Sequence, residues 1–177
     1  MVLNDIGPKL EWAGLSTIAA YVGQVPVFTE YAEAASWLRG RMGGFGPHDE
    51  AGWEQLIRPY FKVLPDGGFT PHYDPAIAVP FKALAQGAES GGAPSGKPAG
   101  ESEEHSMWPL WDAVTPSTLV LRGALSELLS TETCEGMKVR GPKARVIEIA
   151  GVGHAPSLIA VDQINLILEF FSEPSSS

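Results

Sequence analysis

The chain reads as an α/β protein, because a strand, a helix, a second strand and a final helix follow one another in its last third, and a strand-then-helix order also opens the chain. Strands separated by a helix pair in parallel and are joined by a right-handed crossover. The expected architecture is a set of parallel strands with flanking helices and a helical region between the first strand and the last two.

The opening Val-Leu-Asn-Asp is expected as a short buried strand ending at Asp5, with Ile6-Gly7-Pro8 as the turn. Leu10, Trp12, Ala13, Leu15, Ile18, Ala19 and Val22 then recur at helical spacing, and Gly23 is placed to close that helix. A second helix is expected from Thr29, a candidate N-cap, with Tyr31, Ala34, Ala35 and Leu38 on one face. A third carries Trp53, Leu56, Ile57 and Tyr60 and is distorted or ended by Pro59. Pro65-Asp66-Gly67-Gly68 is a turn, and Pro71, Pro75 and Pro80 break any long element after it.

Residues 86–106 are rich in Gly, Ser, Pro, Ala and Glu and read as a flexible surface insertion, since such a composition offers little apolar area to offset ordering. Trp108–Val114 is a short amphipathic helix, Thr118–Gly123 a strongly apolar strand, and Thr131–Pro142 a helical segment closed by Gly141 and Pro142. Ala144–Ala150 is the next strand. The final helix places Ile164, Ile167, Leu168 and Phe171 on one stripe, and the tail at 173–177 is expected to be disordered.

The 177 residues carry a net charge of −9, with 44% hydrophobic residues and a mean hydropathy of +0.01. An acidic chain without a basic cluster repels phosphate backbones and anionic lipid, so no nucleic-acid or membrane partner is expected. The single cysteine, Cys134, excludes an internal disulfide framework, and a cytoplasmic location is the default. The N-terminus lacks the basic region and long apolar core of a secretory signal. It opens directly on a strand, as does a chain cut within a domain.

Ligands of parallel α/β sheets bind at the carboxyl ends of the strands. Glu127 follows one strand of the last third and His154 follows the next, so short loops from neighbouring strand ends, about 4.8 Å apart, are expected to bring them together. A carboxylate on one ring nitrogen fixes the tautomer and leaves the other nitrogen to take a proton from a hydroxyl. A lone histidine in a glycine-rich loop, and a carboxylate after a strand, are also ordinary surface residues. His48, His72, His105 and His154 are too widely spaced for a metal helix, and Asp49 and Asp74 do not change that, so no metal and no cofactor is expected. Trp12, Phe28, Trp37, Phe45, Trp53, Phe69 and Tyr73 are candidates to line an apolar pocket.

Leu119–Ser130 (LVLRGALSELLS) followed by Ile147–Leu158 (IEIAGVGHAPSL) resembles the acid loop and the histidine loop of bacterial, esterase-like α/β-hydrolases. Val2–Pro8 (VLNDIGP) and His72–Phe81 (HYDPAIAVPF) resemble the segment after the nucleophile and the cap region of the same family. The resemblance implies a partial α/β-hydrolase fold, its C-terminal part. Residues 1–27 would supply a core strand and helix, 28–85 a helical cap, and 107–172 the C-terminal core with the acid and histidine loops. His154 would be the catalytic base. Glu127 would be the acid at a position where relatives usually carry aspartate, and Asp5, after another strand end, is the alternative acid.

Relatives hold their nucleophile on a G-x-S-x-G elbow that precedes the acid and the histidine. None of the 177 residues forms that motif, and the oxyanion-hole segment is missing too. The expected activity is cleavage of carboxylic esters or related acyl bonds of a small molecule by a Ser-His-acid mechanism, with this chain alone inactive. A non-catalytic remnant that binds an apolar ligand or complements another chain is the alternative. A third reading, C–C bond hydrolysis or dehalogenation, would turn on the missing elbow residue. An unpaired sheet edge is expected where the preceding strands belong, which invites self-association.

Overall fold

The computed structural model describes residues 1–80, 83 and 106–173. The insertion expected at 86–106 and the tail at 173–177 therefore lie, apart from Ser106 and Glu173, outside the described residues. Three strands form a parallel sheet: β1 (Val2–Asn4), β4 (Leu119–Gly123) and β5 (Arg145–Ile149), in the order β1-β4-β5. Between β1 and β4 come α1 (Trp12–Tyr21), α2 (Tyr31–Arg39), α3 (Glu50–Ile57), the antiparallel hairpin β2 (Phe61–Val63) and β3 (Phe69–Pro71), and α4 (Trp108–Asp112). The crossover helix α5 (Thr131–Val139) joins β4 to β5, and α6 (Val161–Ser172) follows.

The central strand β4 is buried along its whole length, as its continuous apolar run requires of a strand covered on both faces. Leu3, Val120 and Val146 stand side by side across the sheet and pack with Trp108, Trp111, Leu129, Cys134, Met137 and Ala144. Ser130 caps α5, its hydroxyl accepting the Thr133 amide, where the turn chemistry of the sequence demanded a start. Cys134 sits on the buried face of this helix, and burial pushes its thiol up to about 11. Iodoacetamide at pH 8 is therefore expected to leave Cys134 unmodified in the folded chain and to alkylate it fully in denaturant. Rapid alkylation under native conditions, read by intact mass, would show that α5 is not packed as described.

Several sequence expectations shift by local physics. α2 takes Glu30 rather than Thr29 as its N-cap, without a side-chain hydrogen bond. α3 stops at Ile57, Arg58–Tyr60 tightens into a 3-10 turn at Pro59, and Phe61 onward becomes a strand rather than the end of a helix. The Asp66-Gly67 turn closes that hairpin, with Gly67 at φ 88°. The final helix departs most. Gln163, not the apolar stripe, is its buried residue, and its amide oxygen accepts the Leu158 N–H. That bond fixes the rotation of α6 and leaves Ile164, Leu168 and Phe171 exposed. Glu173, expected in a disordered tail, pairs with Arg145 at 2.6 Å.

α2, α3 and the hairpin enclose a second core of Ala34, Leu38, Ile57 and Phe61, ringed by Phe28, Trp37 and Phe69. Its rings meet at tilted and edge-to-face angles, the arrangement that aromatic quadrupoles favour.

Candidate active site

β1 ends at Asp5, which adopts φ 53°, a left-handed conformation that aspartate tolerates better than most residues. This turn drives the Asp5 carboxylate inward, where it is fully buried. Three donors meet it there. The Gly123 amide donates to Oδ1 at 2.9 Å, the Ser126 hydroxyl donates to Oδ2 at 2.6 Å, and His154 Nδ1 lies 2.9 Å from Oδ2. A carboxylate accepts and does not donate, so the imidazole proton belongs on Nδ1 and the lone pair on Nε2. The His154 side chain is about one-third exposed, open to a reactant on one side and anchored on the other.

The carboxylate and the histidine thus come from the outer strands of the sheet, with β4 between them. Two strand spacings separate such ends by about 10 Å. The gap closes because the histidine loop folds back over the tip of β4. A Cβ on Gly123 would lie 2.1 Å from the Gly153 carbonyl oxygen and 2.7 Å from that of Val152, so only glycine lets the loop cross there. The loop is then tied on both sides. Leu125 N–H donates to the Val152 carbonyl, and Gly153 N–H donates to the Gly44 carbonyl at 2.6 Å. Arg122, buried at the base of the acid loop, donates from Nε to the Leu129 carbonyl and pairs with Glu148.

Glu127 and His154 line the same cavity, but Glu127 makes no hydrogen bond to the imidazole among the described residues. The reason is the loop geometry. Ser126 turns back onto Gly123, its hydroxyl binds Asp5 while accepting the Leu128 and Leu129 amides, and the Glu127 side chain is turned to the surface. The expected juxtaposition of neighbouring loops therefore delivers Ser126, not Glu127, to the acid network. Ser126 was not singled out in the sequence, where it is one serine in a run of loop residues. Gly123 likewise carries no local signal, since its role depends on the histidine loop, and Arg122 pairs with Glu148 on the neighbouring strand.

The cavity holds about 250 Å³ and is walled by His154, Glu127, Leu125, Ile18, Tyr21 and Arg41, with glycines at 14, 43, 44, 151 and 153. None of the seven aromatics expected to line a pocket borders it. Phe28, Trp37, Trp53 and Phe69 pack in or around the second core, and Phe69 faces a separate cavity with Tyr31 and Phe61. Among the described residues no three His, Cys, Asp or Glu side chains converge as a metal-ligand set, and no helix is long and apolar enough to cross a membrane.

No family model matches the chain. Among curated proteins, the 3-hydroxybutyrate-oligomer hydrolase of Cupriavidus necator is 34% identical over 175 residues, covering 97% of this chain and 56% of that protein. The crystal structure of an α/β-hydrolase from Novosphingobium aromaticivorans is 33% identical and superposes with a TM-score of 0.73, over 95% of this chain and 54% of that one. A crystal structure from Rickettsia typhi gives a TM-score of 0.78 at 25% identity, over 98% of this chain and 53% of the other. The chain thus spans about half the length of the relatives it matches. The parallel β1-β4-β5 sheet with its flanking helices, and these two levels of similarity, make the chain a member of the α/β-hydrolase fold family.

Proposed function

We propose that this chain carries the base and the acid of a serine-type hydrolase that cleaves carboxylic esters, with the nucleophile supplied by residues outside the 177. The observation that carries the reading is the Asp5–His154 hydrogen bond of 2.9 Å, made by a fully buried carboxylate that also holds Gly123 and Ser126. His154 Nε2 takes the proton of the attacking hydroxyl and returns it to the leaving alcohol. Asp5 orients the ring and stabilises the imidazolium, the role that sequence reasoning gave first to Glu127. The ester as substrate class rests on the relative named for 3-hydroxybutyrate oligomers, since hydroxy acids join into oligomers through ester bonds.

No serine hydroxyl hydrogen-bonds His154 among the described residues, and Ser126, which shares Asp5 with it, spends its proton on that carboxylate. β1 has a partner on one side only among the described residues, so a further strand has an edge to join. That edge also favours the second reading, in which this chain completes another one.

The test is labelling by a fluorophosphonate probe together with hydrolysis of the linear 3-hydroxybutyrate dimer. The 177-residue chain alone is expected to remain unlabelled. The full-length product purified from its source is expected to label once, upstream of Asp5, and to lose hydrolysis with His154→Ala. Labelling of a serine within the 177 residues would overturn the external nucleophile. A full-length product that neither labels nor hydrolyses would leave the complementing reading in its place.

A further inference from the structure

The sequence contains six arginines. Five of them hold a carboxylate: Arg39 with Glu50, Arg58 with Glu54, Arg122 with Glu148, Arg140 with Asp112 and Arg145 with Glu173. Arg41 holds none among the described residues, and it is the one arginine that borders the His154 cavity. In a chain of net charge −9, Arg41 is an exposed arginine at the rim of this cavity with no acidic partner among the described residues.

Its guanidinium is nonetheless held in place. It stacks on the Trp37 ring with 3.9 Å to the centroid, donates from Nη1 to the Trp37 carbonyl at 3.0 Å and from Nη2 to Gln24 Oε1 at 3.3 Å. These contacts use two of its five N–H groups and fix the plane of the fork. The turn that follows is tied to the base, because the Gly44 carbonyl accepts the Gly153 amide next to His154. This bond ties the backbone just after Arg41 to the loop that carries His154. Tyr21 shares the same wall, and burial and Tyr73 push its hydroxyl above the usual range, so it stays a neutral donor.

We infer that Arg41 is the carboxylate-binding residue of this cavity, and that the acyl substrates presented to His154 carry a free carboxylate. The inference rests on the hydrolase reading above for the identity of the site, and extends it to the charge of the substrate. A planar guanidinium with a pre-set plane binds a carboxylate through two parallel N–H···O bonds, stronger than neutral ones. The cavity volume of about 250 Å³ suits a short acid rather than a long acyl chain. Glu127, the other charge on the wall, repels an anion and limits the site to one carboxylate.

The test is a titration of the isotopically labelled 177-residue chain with butyrate and, separately, with methyl butyrate, followed by NMR. Butyrate is expected to shift the Arg41 Nε–H resonance saturably, and methyl butyrate to leave it unmoved. Arg41→Gln is expected to weaken butyrate binding at least about tenfold, and Glu127→Gln to tighten it about twofold. The unvaried chain carries its own readout, so a variant that misfolds leaves the test intact. Butyrate that fails to shift Arg41, or methyl butyrate that shifts it equally, overturns the inference. The hydrolase reading is scored separately in the same sample, by the low-field proton of the Asp5–His154 hydrogen bond.

Discussion

Replacing Asp5 by asparagine is expected to lower kcat of the full-length, probe-reactive protein by about 10⁴-fold with little change in KM. The asparagine amide keeps the volume of the carboxylate but offers an N–H₂ where His154 Nδ1 needs an acceptor. The imidazole then holds its proton on Nε2, and the base faces the nucleophile in the wrong tautomer. The buried network suffers as well. Asp5 accepts from Gly123, Ser126 and His154 with no water-exposed face, so leaving one donor unmatched costs about 1–3 kcal/mol in thermal or denaturant unfolding. Glu127→Gln is the decisive comparison. It is expected to keep kcat within about threefold, because the Glu127 carboxylate is exposed and makes no bond to the imidazole. A small loss with Asp5→Asn and a large one with Glu127→Gln would return the acid role to Glu127. In the 177-residue chain the same point is read without catalysis, as loss of the low-field His154 proton in Asp5→Asn and its survival in Glu127→Gln.

Gly123→Ala is expected to disable the site without touching a titratable group. The added methyl carbon would stand 2.1 Å from the Gly153 carbonyl oxygen and 2.7 Å from the Val152 oxygen. Both are backbone atoms, so the histidine loop itself must move, by about 1 Å to reach ordinary contact. Overpacking of this kind costs about 1–3 kcal/mol, and a displacement of about 1 Å in a catalytic group costs about 10²-fold in rate. Gly40→Ala serves as the control, since its added carbon would meet nothing closer than 3.7 Å. The expected pattern is a lowered melting temperature and a broadened or shifted His154 signal for Gly123→Ala alone. Wild-type stability together with an unmoved His154 signal would show that the loop does not cross the tip of β4 as described.

These two substitutions mark where the sequence was legible. The strands β1, β4 and β5 and the helices between them could be read from apolar runs, helical periodicity and turn residues, because each depends on neighbours within a few positions. That His154 follows a strand end could be read, since that strand is contiguous with it in the chain, whereas its role as a base is implied only by the resemblance. The structure sets Asp5, the alternative acid, and not Glu127 against the imidazole. Each lies just past a strand, and the resemblance puts Glu127 first and Asp5 second.

The choice between the two carboxylates comes from the order β1-β4-β5 and from the absence of a side chain at Gly123, which together let a loop from one edge strand reach the aspartate of the other. The exposed stripe of α6 follows the same rule. Its apolar spacing is real, but the rotation of the helix is set by Gln163 accepting the Leu158 amide, a contact that hydrophobic periodicity does not register. Arg41 follows it too. A charge just past a helix looks solvated, and Arg41 is exposed, but only the fold of α2 and the turn after it brings this residue to the wall of the histidine cavity. Elements thus follow from short-range chemistry in the chain, whereas partners follow from long-range geometry, because hydrogen bonds and charges act over a few ångströms of space and are indifferent to distance along the sequence.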